Sequence, residues 1–199
     1  MGEYFELTAK IWNMFILSII FVICCIPIVT IGAATTAYCY MFLKYKDKRE
    51  GRVFENYFKA FKREFAQSTK VWLIILAALV VLFFDARVSS NLVATYGGIY
   101  FVLYPFYYLL LFIVGAVVLY VFPYMAKFTD TTTQVIKNSF LISLKHLGYT
   151  VTTLLIDYSI IKAGLDYFLP ITIITPLLIG WINVSMINVV LKKHMPSEE

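Results

Sequence analysis

Apolar positions in this chain gather into long uncharged runs, and the charged residues fall almost entirely in the short segments between them. A run of roughly 18 or more residues without charge is the signature of a helix crossing a bilayer. The first such run, Ile11 to Leu43, is roughly 50 Å long as one helix and exceeds a hydrocarbon core of about 30 Å. Pro27 removes a backbone donor and Gly32 relaxes the chain beside it, which predicts a break there. A hairpin with helices over 8–27 and 31–46 is the favoured reading, and one kinked helix is its rival. Further spans are expected over 70–89, 97–126, 149–168 and 171–191. Pro105 and Pro123 sit near the two ends of the fourth span, and Pro170 separates the last two. The fold class is therefore all-α: a polytopic transmembrane bundle in a single integral membrane domain, with six spans favoured and five if the first run is one kinked helix.

Two polar segments carry a helical period of their own. Phe54, Tyr57, Phe58, Phe61 and Phe65 follow one another at spacings that put five rings on one face, with Lys59, Lys62 and Arg63 opposite. This predicts an interfacial amphipathic helix over 53–66, lying on the inner leaflet or docked to a partner. A weaker one is expected over 131–146, where Ile136, Phe140, Leu144 and Leu147 form the apolar stripe while Lys137, Asn138 and Lys145 point elsewhere.

Composition agrees with the runs. Hydrophobic residues make up 61% of the 199, charged ones 15%, and mean hydropathy is +0.79; a soluble domain carries about a quarter charged residues. The net charge of +5 would suit nucleic acid if the basic residues formed a face outside a membrane, but they do not. Nine lie in 44–70, three in 127–147, two in the tail and one at Lys10, which makes 15 of 17. Lysine and arginine accumulate on the cytoplasmic side, so both basic segments and the C-terminus are expected in the cytoplasm of a multi-pass protein of the cell membrane. With six spans the N-terminus joins them. Glu3 and Glu6 precede the lone Lys10 and no small-residue cleavage site follows, so the first run reads as an uncleaved span and not as a signal peptide.

Candidate chemistry is sparse. Cys24, Cys25 and Cys39 have no metal-ligand spacing, and no phosphate loop, HExxH pair or GxSxG elbow occurs. No cofactor and no catalytic residue is expected. Asp157 lies about eight residues inside the fifth span, roughly 12 Å deep, where a carboxylate needs a partner or a wet cavity. Lys162 and Asp166 share its helix at a spacing that lets them pair, so Asp157, Lys162 and Asp166 form a candidate intramembrane polar site. Around Pro27, the residues Gly32, Ala33, Ala34, Thr35 and Thr36 make a patch of small side chains suited to close helix packing. Tyr96, Tyr100, Tyr104, Tyr107 and Tyr108 gather near the outer side, as an interfacial aromatic belt does.

Three segments also resemble a known family: Ile26-Pro27-Ile28-Val29-Thr30-Ile31-Gly32-Ala33-Ala34-Thr35-Thr36-Ala37, Phe58-Lys59-Ala60-Phe61-Lys62-Arg63-Glu64-Phe65 and Tyr120-Val121-Phe122-Pro123. The chain resembles the YesL-like family of small bacterial multi-span proteins over nearly its whole length, the first two segments being the specific ones. The resemblance implies a setting beside carbohydrate ABC importers of the multiple-sugar type. The expected function is a non-catalytic accessory subunit of such an importer, with the permease subunits, membrane lipids and, through the permease, an ATPase and a solute-binding protein as partners. A stand-alone transporter or channel using Asp157 and Lys162 is the alternative.

Overall fold

The computed structural model describes residues 2–46, 52–96, 103–167, 178–185, 187 and 189, and every regular element among them is helical. The order is α1 (Gly2–Cys24), a 3-10 turn (Ile28–Thr30), α2 (Ile31–Lys46), α3 (Val53–Tyr96), α4 (Leu103–Lys127), α5 (Thr132–Lys145) and α6 (Leu147–Tyr167). A last helical segment covers 178–185. Among the described residues two helices are long and apolar enough to cross a membrane, in α3 and α4; α5 and α6 bend by 96° at their junction and make a third if counted as one span.

The first apolar run is a hairpin. One straight helix would hold residues 18 and 38 about 30 Å apart, yet the Ser18 and Tyr38 hydroxyls lie 3.0 Å from each other and the Phe21 and Tyr38 rings 4.5 Å apart. The kinked-helix alternative is thereby set aside. Pro27 supplies no N–H, and the Thr30 hydroxyl, within reach of the carbonyls of Cys24 (2.6 Å) and Pro27 (2.7 Å), helps to satisfy the loose end of α1. Trp72 of α3 donates its indole N–H to the carbonyl of Ile28 at 2.7 Å and ties the turn down. Trp72→Phe keeps the ring but not this bond. A loss of about 1 kcal/mol is expected, read as a shifted midpoint in an SDS unfolding titration.

Around α2 the bundle is assembled. Ala33, Ala34, Ala37, Tyr38, Met41 and Phe42 are all buried, because α2 is covered by α1, α3, α4 and the last segment together. Its small residues admit α3 closely: a Cβ on Gly32 would stand 2.6 Å from both the Ser68 carbonyl oxygen and the Trp72 Cβ. At this approach the Ser68 hydroxyl meets that of Thr36 at 2.9 Å, and Thr36 donates to the Gly32 carbonyl at 3.0 Å. This pair of buried hydroxyls is thus satisfied across the contact of α2 and α3.

Helix α3 departs from expectation. The amphipathic segment and the third span form one helix of 44 residues, about 66 Å long, because nothing between Phe65 and Val71 breaks a helix. Its inward stripe is Tyr57, Ala60, Glu64, Ser68, Val71 and Ile75, at spacings of three and four. The five rings therefore do not share one lipid-facing side. Tyr57 is fully buried, Phe58 and Phe61 half-buried, and Phe54 and Phe65 exposed at 64% and 39%. They stack along the helix as a ladder, with centroids 4.7 Å apart for Phe54 and Phe58 and 5.5 Å for Phe61 and Phe65.

The second amphipathic segment is also turned from its expected face. In α5 the buried residues are Val135, Ser139, Ile142 and Ser143, whereas Leu144 and Leu147 are exposed. The buried side thus carries two small serines, and α5 packs chiefly on α4; small residues permit close approach of helices. Asp130 locks the approach to α5: its carboxylate accepts from the Tyr124 hydroxyl at 2.5 Å, and its carbonyl accepts from the Gln67 amide of α3 at 2.5 Å. Thr131 and Gln134 form a capping box at the helix start.

Candidate functional site

A cavity of about 780 Å³ opens between the helices, walled by Tyr38 of α2, Trp72 of α3, Leu119, Phe122 and Pro123 of α4, and Leu154 of α6. The last helical segment closes it with Gly180, Asn183 and Val184. Gly180 allows this closure, since a Cβ there would lie 2.5 Å from the Tyr38 ring. Toward the outside, α6 contributes Tyr158 and Ile161, exposed at 64% and 46%. Their neighbour Leu155 is exposed too. The mouth therefore opens on the apolar outer side of the bundle, the side a bilayer would cover.

Asp157 stands on this wall, near the middle of α6. The partner it needs is Asn183, whose Nδ2 donates to Asp157 Oδ2 at 2.9 Å. The remaining oxygens, Asp157 Oδ1 and Asn183 Oδ1, are both buried and accept no hydrogen bond among the described residues. Thr35 also lines the cavity, but its hydroxyl is spent on the Ile31 carbonyl at 2.7 Å. The wall is thus apolar and aromatic, and the two polar residues that meet on it, Asp157 and Asn183, each keep one buried oxygen without a donor. Replacing Asp157 by Leu would leave the Asn183 amide without its acceptor. A loss of about 1 to 2 kcal/mol is expected from bundle hydrogen-bond energies, and the double variant with Asn183→Leu should recover part of it in the same SDS titration.

Other candidates from the sequence fall elsewhere. Lys162 is exposed and is not part of the cavity wall, so the bundle does not bring it to Asp157. The side chain of Asp166 lies outside the described residues, as do residues 97–100 of the tyrosine-rich stretch and much of the last span. Lys59, Lys62 and Arg63 are exposed on α3. Arg63 is engaged within the chain: its Nε donates to Glu64 Oε1 at 2.6 Å and its guanidinium carbon lies 5.2 Å from the Tyr40 ring centroid. Asn183 was not singled out from the sequence. The signal for it was an amide inside an apolar run, the same signal that marked Asp157.

Among known proteins, a family model described as a protein of unknown function, DUF624, matches residues 14–86. That segment holds the α1 to α2 hairpin, the small-residue contact at Gly32 and the aromatic ladder of α3. Asp157 and Asn183 lie outside it. No curated protein and no solved structure matches the chain.

Proposed function

We propose that this chain is a non-catalytic accessory membrane subunit that works by packing against the permease subunits of a multiple-sugar-type ABC importer. In this reading it crosses the membrane six times, with 44–70, 127–147 and the C-terminus in the cytoplasm. The observation that carries the proposal is the first half of α3. A helix about 66 Å long is more than twice as long as a hydrocarbon core of about 30 Å, so one end of it must stand outside. The basic end is the one that belongs in the cytoplasm. It presents Phe54 and Phe65 uncovered beside exposed Lys59 and Lys62, a mixture of rings and cations that suits a protein groove rimmed by acidic residues or headgroups. The importer as partner follows from the resemblance of segments 26–37, 58–65 and 120–123, and the sugar substrate belongs to the importer.

Affinity purification of this chain from native membranes, in mild detergent or nanodiscs, tests the assignment together with its deletion. Recovery of a permease pair and impaired oligosaccharide uptake on deletion are expected. No permease in the eluate and unchanged uptake would overturn it. A second reading, a stand-alone transporter or channel, draws support from the cavity beside Asp157, although Lys162 stands off its wall. Flux in proteoliposomes holding only this chain, abolished by Asp157→Leu, would favour that reading instead.

A further inference from the structure

We propose that the cavity beside Asp157 and Asn183 is a binding site for a primary alkylammonium, an apolar body ending in a single cationic amine, which enters from the bilayer. The inference does not depend on the importer assignment. At about 780 Å³ the cavity falls in the range of roughly 300–1,000 Å³ that encloses a small organic molecule. Its chemistry narrows the occupant. A sugar ring brings several hydroxyls that each need a partner, and this wall is almost entirely apolar, so buried sugar hydroxyls would go unpaired at a cost of about 1 to 3 kcal/mol each. A bare divalent metal asks for roughly six oxygen ligands, and among the described residues no group of three or more potential ligands is found.

An ammonium meets what is present. Its N–H groups point at two or three acceptors, and the cavity-lining Asp157 and Asn183 each carry a buried oxygen, Oδ1 in both, left without a donor. The carboxylate supplies the opposite charge, and Asn183 holds it in place through the other oxygen. The rings of Tyr38, Trp72 and Phe122 line the same space; aromatic faces attract a cation stripped of water. Leu154 and Ile161 offer aliphatic surface for the tail. The mouth is rimmed by exposed Tyr158 and Ile161, which gives an amphiphile a route that a hydrated ion lacks.

The test uses the full chain in phosphatidylcholine nanodiscs and a photoreactive alkyl diazirine amine, with adducts mapped by mass spectrometry. Saturable labelling of cavity-wall peptides is expected, with dodecylammonium competing at least about tenfold better than dodecanol. Dodecyltrimethylammonium, which has charge but no N–H, should compete less well than the primary amine. Asp157→Asn should weaken labelling about tenfold while leaving the circular dichroism spectrum unchanged. The wild-type competition series decides the matter if that variant fails to fold. Labelling that is not saturable, or dodecanol and dodecylammonium competing equally, would overturn the site; the second result would mean an apolar void whose free oxygens are closed by a proton on Asp157. Adding phosphatidylethanolamine to the discs distinguishes two sources of the same amine: competition by it makes the ligand a lipid headgroup, and its failure where dodecylammonium succeeds makes it a free hydrophobic amine.

Discussion

Gly32→Val should destabilise the bundle by about 3 kcal/mol, toward the upper end of what overpacking usually costs. The reason is geometric. A Cβ at this position meets the Ser68 carbonyl oxygen at 2.6 Å, and backbone cannot rotate away as a side chain can. Relief requires α2 and α3 to separate, which would also pull apart the Thr36 and Ser68 hydroxyls and the Trp72 bond to Ile28. Gly115→Ala is the control in the same titration. Its Cβ would find Leu154 at 3.9 Å, an ordinary contact, and a helical glycine replaced by alanine gains up to about 1 kcal/mol. Unfolding of Gly32→Val at the wild-type midpoint would contradict the close contact of α2 and α3.

Tyr57→Ala is the second large effect, expected to cost about 3 kcal/mol or more, as truncation of a buried aromatic does. Tyr57 has no exposed surface, and its hydroxyl lies 3.4 Å from the Ala34 carbonyl oxygen. Phe54→Ala, one turn earlier on a ring exposed at 64%, should stay within about 0.5 kcal/mol of the parent. The contrast separates the two roles that one aromatic face had appeared to share. A folded chain that loses its partner with Phe54→Ala and Phe65→Ala, set against an unfolded one with Tyr57→Ala, is the expected pattern. Equal stability losses at positions 54 and 57 would mean that the ladder is buried along its whole length.

The sequence announced the helices through the lengths of its apolar runs, and Pro27 with Gly32 marked the hairpin because their effects are local to the backbone. What it could not show was which of several apolar residues on a helix would be covered. Serine at 139 and 143 decides the buried side of α5, since small residues permit close approach where leucines do not, and that choice depends on the neighbouring helix. The continuity of α3 was hidden for a related reason: the shift from charged to apolar residues after Lys70 looked like a boundary, but composition alone does not end a helix. Asp157 was legible from its depth. Asn183 sits 26 residues further on, and its pairing with Asp157, like the cavity that both face, arises only from packing in three dimensions.

The most direct test of the accessory-subunit reading is site-specific photo-crosslinking in the native membrane, with benzoylphenylalanine placed at position 54 or 65. Both sites are exposed on the basic half of α3, and a ring of that kind replaces another. A light-dependent adduct containing an importer permease subunit is expected at each site, absent when the same group stands at the exposed Val81 of the apolar half of α3. Adducts with lipid alone at positions 54 and 65, and none with a permease, would contradict it.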